Sequence, residues 1–261
     1  MTELVERTVD TPAGKARVWE KGAGAPVGFL AGLGGMPAWL PMLDSLASRF
    51  RVVVPSLPGF PGGADYEPLD DLLDWILAAT DLHEAAGLAG GDLIGASFGG
   101  ALAAEIAALR PDLVRRLVLI APYGLFDEGE PIADVFAQKP QTAAQILSSK
   151  PDAYDAYRAR PNSVDEMEWT LTQIRADMAA ARVLWPLGDT RLRKRLPRIT
   201  QPTLLIWGAD DKVIAPAYAG RFAELIAGPT KVVTVAGAGH TAEFDAPEPV
   251  AKAIADFLAA R

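Results

Sequence analysis

The pentapeptide Gly95-Ala96-Ser97-Phe98-Gly99 constrains this chain more than any other feature. It sits between an apolar run ending in Leu93, Ile94 and Gly95 and a small-residue helical pattern from Phe98 to Leu109. G-x-S-x-G in that setting predicts a tight strand-to-helix turn, with glycines where side chains would clash and a serine oxygen projecting into open space. The helix that follows places positive potential beside that oxygen. A glycine-rich turn with an incidental serine is the plainer reading, and the strand–helix context argues against it.

The rest of the chain supplies the sheet this turn requires. Ala16 to Glu20, Val27 to Ala31, Val52 to Val54, Val114 to Ile120, Thr203 to Trp207 and Lys231 to Val235 read as strands. Helical patterns alternate with them, over about Trp39 to Ser48, Leu69 to Ala86, and the C-terminal stretch with Val250, Ile254, Phe257 and Leu258 on one face. Such alternation predicts a mostly parallel sheet covered on both faces, an α/β fold. Residues 124–196 differ, with no convincing strand and with Pro131, Pro140, Pro151 and Pro161 dividing the segment into short helices. Ser163 and Glu166 suit a capping box for a longer helix reaching about Val183. An all-helical insertion between strands of a parallel sheet is expected to form a lid over the strand ends, where ligands bind. The organisation expected is therefore core (1–123), helical lid (124–196) and core (197–261).

Composition narrows the partners. With 25 basic and 33 acidic residues the formal net charge is −8, which disfavours nucleic acid. Cysteine is absent, removing disulfides, thiolate nucleophiles and thiolate metal sites, in keeping with a reducing compartment. The first ten residues carry acids and no apolar core of a signal peptide, and the most apolar stretch, Leu93 to Ala104, is too short to span a bilayer. A cytoplasmic protein acting on a small molecule is expected, with no membrane insertion and the oligomeric state left open.

A serine hydroxyl needs a base, and only two histidines exist. His240 follows a strand on the glycine-rich loop Gly237-Ala238-Gly239 and can reach a neighbouring strand end. His83 lies near the end of the Leu69–Ala86 helix and is expected to complement its dipole. An orienting carboxylate is available directly after the Thr203–Trp207 strand, as Asp210 or Asp211. The backbone N–H groups of Phe98 and of Leu33, in the loop Gly32-Leu33-Gly34-Gly35, are the expected oxyanion donors. Trp39, Tyr123 and Trp185 are candidate pocket liners, with core packing an equally good account of each. A mechanism built from these groups needs neither metal nor cofactor.

Taken together, Ala31-Gly32-Leu33-Gly34-Gly35, Pro58-Gly59-Phe60, the turn at Ser97, Trp207-Gly208-Ala209-Asp210-Asp211 and Gly239-His240 with Pro247-Glu248 resemble the α/β-hydrolase family, in particular its lid-bearing serine hydrolases. The resemblance covers nearly the whole chain. It implies an α/β-hydrolase fold, selects Asp211 over Asp210 as the third member of a Ser97–Asp211–His240 triad, and implies oxyanion donors at Leu33 and Phe98. Three positions depart from common patterns: Ala31 stands where histidine is frequent, and Ala96 and Thr241 stand where carbon–carbon bond hydrolases carry asparagine and tryptophan. Ester hydrolysis through an acyl-enzyme is the leading expectation. Carbon–carbon hydrolysis, lactone opening and perhydrolysis by the same residues are the rivals, as is a non-catalytic ligand receptor.

Overall fold

The computed structural model describes residues 2–187 and 189–260. Its frame is one eight-stranded sheet: β1 (Val5–Thr11), β2 (Gly14–Lys21), β3 (Pro26–Leu30), β4 (Arg51–Pro55), β5 (Gly91–Ala96), β6 (Val114–Ile120), β7 (Thr203–Gly208) and β8 (Thr230–Val235). The spatial order is β1-β2-β4-β3-β5-β6-β7-β8. β1 and β2 are antiparallel to each other and β2 to β4, and every other pairing is parallel.

The central strands are apolar in both phases of their alternation because both faces are covered. In β6, Leu117 and Leu119 enter one core while Val118 and Ile120 enter the other. The first face packs against α2 (Leu72–Ala85) and α3 (Ser97–Leu109), and the second against α1 (Pro41–Ala47) and α9 (Pro247–Ala259). β1 was not expected. Only Val9 of its seven residues is buried, so this edge strand carries no apolar run to betray it.

Between β6 and β7 lie α4 (Pro140–Leu147), α5 (Pro151–Arg158) and α6 (Glu166–Leu184), then short 3-10 turns at Leu192–Lys194 and Leu196–Arg198. The expected capping box at Ser163 is corrected. α6 starts two residues later, and the side chain of Asp165 accepts from the Met167 and Glu168 N–H groups while Ser163 stays exposed. After β7 come α7 (Tyr218–Leu225) and, beyond β8, α8 (Ala242–Asp245). No described helix is long and apolar enough to cross a membrane.

Two buried carboxylates are each held by an arginine, one between neighbouring strands and one between α3 and the 3-10 turns. Arg115 grips Asp92 at the start of β5 with two hydrogen bonds, and Arg195 grips Glu105 of α3 in the same forked manner. Each answers the cost of burying a carboxylate with charge and with hydrogen bonds.

Candidate active site

β5 delivers Ser97 from the middle of the sheet. The residue opens α3 with a left-handed φ of 52°, a strained conformation for a residue with a side chain. The turn closes because its neighbours are bare: a Cβ on Gly95 would sit 2.5 Å from the Gly99 carbonyl oxygen, and one on Gly99 would sit 2.3 Å from that of Leu30. Glycine is the only residue that permits both approaches.

His240 reaches Ser97 from the loop after β8, with Nε2 2.8 Å from the serine Oγ. Its Nδ1 lies 3.0 Å from Asp211 Oδ2. The other oxygen of Asp211 accepts from the Val213 and Ile214 N–H groups at 2.8 and 3.0 Å, which fixes the plane of the carboxylate. Asp210 is exposed and plays no part in this chain of bonds. Ser97, Asp211 and His240 are all buried. Burial alone would hold the imidazole neutral. The Asp211 carboxylate, by charge and hydrogen bond, outweighs it, with Glu243 and Asp245 adding to the effect, so the His240 pKa stands above its ordinary value. The three groups stand in the hydrogen-bonding sequence that a nucleophile, a base and an orienting acid require.

The loop from Gly32 to Gly35 abuts the serine: a Cβ on Gly32 would lie 3.1 Å from that of Ser97. Leu33 lines the adjoining cavity. Phe98 is the second residue of α3, where a backbone N–H has no acceptor inside the helix, while its ring is buried against Phe60 and Trp75. The cavity has Ser97 and His240 on one side and Met36, Leu40, Leu147, Tyr154, Tyr157 and Phe244 among its apolar walls.

The proposed liners fall elsewhere, which corrects that expectation. Trp185 is 56% exposed. Trp39 packs on Trp19 and donates its indole N–H to Asp44. Tyr123 is buried with its ring edge-on to that of His240, 5.8 Å between centroids. None of the three is among the residues lining this cavity. The aromatic wall comes instead from α5 and α8, whose facing could not be read without knowing how the two helices pack. His83 also departs from expectation. It is fully buried with Nε2 3.3 Å from the Leu113 carbonyl, and burial lowers its pKa, so it gives the end of α2 no charge.

Two acids beyond His240 were overlooked. Asp245 Oδ2 accepts from the Gly239 N–H at 2.7 Å and the Ser149 N–H at 2.9 Å, and Oδ1 accepts from the Ser148 hydroxyl. It thereby ties the histidine loop to the α4–α5 connection. Thr241 adds a second tie, donating its N–H to the Leu147 carbonyl. Glu243 is the other, and it lines the cavity itself. Their spacing of three and five residues after the histidine is the only signal in the sequence.

Comparison with known proteins bears on the family and the fold. The chain is 26% identical over 260 residues to the 2-hydroxymuconate semialdehyde hydrolase of Pseudomonas sp. (strain CF600), covering 94% of this chain and 90% of that protein. It is 28% identical over 246 residues to the dihydrolipoyllysine-residue acetyltransferase component of the acetoin cleaving system of Pseudomonas putida, covering 90% of this chain but spanning only 64% of that protein's length. Among solved structures, carboxylesterase CesB (YbfK) from Bacillus subtilis superposes with a TM-score of 0.71 at 21% identity, covering 98% of this chain and 92% of CesB, a likeness of fold. The model of the alpha/beta hydrolase family matches residues 24–253. With an eight-stranded, mostly parallel sheet flanked by helices and that match over most of its length, the chain belongs to the alpha/beta hydrolase family.

Proposed function

We propose that the protein is a serine hydrolase that cleaves carboxylic esters of small, largely hydrophobic substrates through an acyl-enzyme. The observation that carries this reading is the unbroken Ser97–His240–Asp211 hydrogen-bond chain opening onto a mostly apolar cavity. In this reading Ser97 Oγ attacks the acyl carbon as its proton passes to His240 Nε2. The Leu33 and Phe98 N–H groups donate to the oxyanion. His240 returns the proton to the departing alkoxide, and a water activated by the same base then releases the acid. Asp211 holds the ring with Nδ1 protonated and stabilises the imidazolium. Residues 124–196 act as the lid that shapes the cavity, since Leu147, Tyr154 and Tyr157 of that segment stand in its wall.

Carbon–carbon bond hydrolysis is the second reading, favoured by the similarity to a 2-hydroxymuconate semialdehyde hydrolase. Thr241 in the cavity wall weighs against it, because such hydrolases tend to carry tryptophan after the histidine. The test is incubation with a chromogenic short-chain ester and with a fluorophosphonate, repeated with Ser97→Ala. Ester turnover and a serine adduct, both lost in the variant, are expected. An adduct without turnover of any ester would overturn the ester reading and favour the carbon–carbon one, and no adduct at all would refute the serine mechanism.

A further inference from the structure

Five carboxylates are buried among the described residues: Asp92, Glu105, Asp211, Glu243 and Asp245. Four are answered. Asp92 and Glu105 each have a forked arginine, Asp211 has His240 and two backbone N–H groups, and Asp245 has Ser148, Ser149 and Gly239. Glu243 alone is left with a fully buried oxygen, Oε2, that has no hydrogen-bond partner among the described residues. A buried carboxyl with one oxygen unanswered is costly, and such a cost in the wall of this cavity points to a ligand that answers it.

The wall beside Glu243 indicates which ligand. Tyr154, Tyr157 and Phe244 line the same cavity and pack on one another, with centroids 5.2 to 6.4 Å apart. Aromatic rings beside a carboxylate attract ammonium groups, the rings through their quadrupole and the acid through its charge. We propose that Glu243 and these three rings form a subsite for a cationic amine, so that the preferred substrate is an ester whose acyl or alcohol part carries a quaternary or protonated nitrogen. This specifies the substrate class of the hydrolase reading given above and rests on it.

The charged surroundings are consistent. Facing Glu243 are His240, which Asp211 already engages, the acids Asp211 and Asp245, and the α5 hydroxyls of Tyr154 and Tyr157. Arg158, also on α5, is committed to the Gly35 carbonyl and Gln173. Burial, with Asp245 and Asp211 adding to it, lifts the Glu243 carboxyl to about 7, against the opposing pull of its own N–H and His240. The subsite is therefore charged above neutrality and loses its charge below it.

The experiment compares two thioesters of one shape, acetylthiocholine and 3,3-dimethylbutyl thioacetate, by thiol release in the wild type and in Glu243→Gln. The reading is the ratio of their kcat/KM values, in which the protonation of His240 cancels. We expect the wild type to favour the cation about tenfold or more at about pH 8, with the preference shrinking toward about pH 6. In Glu243→Gln the ratio should fall close to one and lose its pH dependence. An equal ratio in both proteins, or a wild-type ratio that does not change with pH, overturns the proposal, and the wild-type pH series stands even if the variant misfolds. If neither thioester is cleaved, the ester reading is at fault, and calorimetric titration with benzyltrimethylammonium decides the subsite independently. Binding that weakens about tenfold or more in Glu243→Gln, or in the wild type between about pH 8 and about pH 6, supports it. Unchanged affinity across both comparisons, or no binding to the wild type, refutes it.

Discussion

Replacing Asp211 by asparagine tests the proposed chemistry most sharply. Asp211 Oδ1 accepts from the Val213 and Ile214 N–H groups at 2.8 and 3.0 Å, so the amide oxygen of an asparagine will take that side. Its NH2 must then face His240 Nδ1 at the 3.0 Å where a carboxylate oxygen stood. Two donors cannot share that contact, so Nδ1 loses its proton and accepts instead. Neutral imidazole then carries its proton on Nε2, pointing at Ser97 Oγ 2.8 Å away, and no longer serves as a base. Loss of the right tautomer and of the stabilising charge together should lower kcat by about 10⁴, or about 5 kcal/mol of barrier. The assay is the rate of Ser97 phosphonylation by a fluorophosphonate, which needs no knowledge of the substrate, beside chromogenic ester turnover. A thermal melt should lie within a few degrees of the wild type, since shape and two hydrogen bonds persist. A folded variant that keeps more than about a tenth of either rate would refute the role given to Asp211.

Three other outcomes follow from the structure. The raised His240 pKa requires the labelling rate of Ser97 to fall with acidification through a midpoint above the ordinary histidine value of 6.5, measured over a pH series; a midpoint below it would contradict the pairing with Asp211. Arg195→Met should destabilise the fold by about 3–5 kcal/mol near neutral pH by leaving Glu105 buried and unpaired. Burial already raises Glu105, and a carboxyl raised in the folded state costs stability as pH rises through its folded pKa, so the deficit in urea unfolding should shrink on going down to about pH 4. Ser148→Ala removes one of the donors to Asp245 and should cost about 1–2 kcal/mol in melting experiments. It should slow Ser97 labelling as well, because Asp245 also holds the Gly239 N–H.

The sheet was legible because its central strands are buried on both faces and read as continuous apolar runs; Val114–Ile120 was located to the residue. β1 was missed for the opposite reason, with Glu6, Thr8 and Asp10 exposed around a single buried valine. The start of α6 was misplaced because Ser163 and Asp165 both precede a glutamate by three residues, and only the backbone path chooses between them. The turn at Ser97 was visible because glycine is demanded there by contacts within a few residues. The cavity wall was not visible. Whether Tyr154 or Trp185 faces the serine depends on how helices distant in sequence pack, and no local spacing records that. Glu243 was hidden similarly, since an acid in a short surface-like segment gives no sign that it turns inward.

The knot around Asp245 bears on how this scaffold can diversify. The segment around Leu147 to Lys150, the roof in the proposed reading, is laced to the loop that carries His240, through Thr241, Asp245 and the Ser149 hydroxyl bonded to the Gly237 carbonyl. Remodelling that part of the roof for a new substrate would tug on the imidazole. Among the described residues α6 contributes none to the cavity wall and has no such tether to His240. Changes that retain catalysis should therefore accumulate along α6 first, and chimaeras that exchange the roof should work only when the loop from Gly237 to Asp245 travels with it.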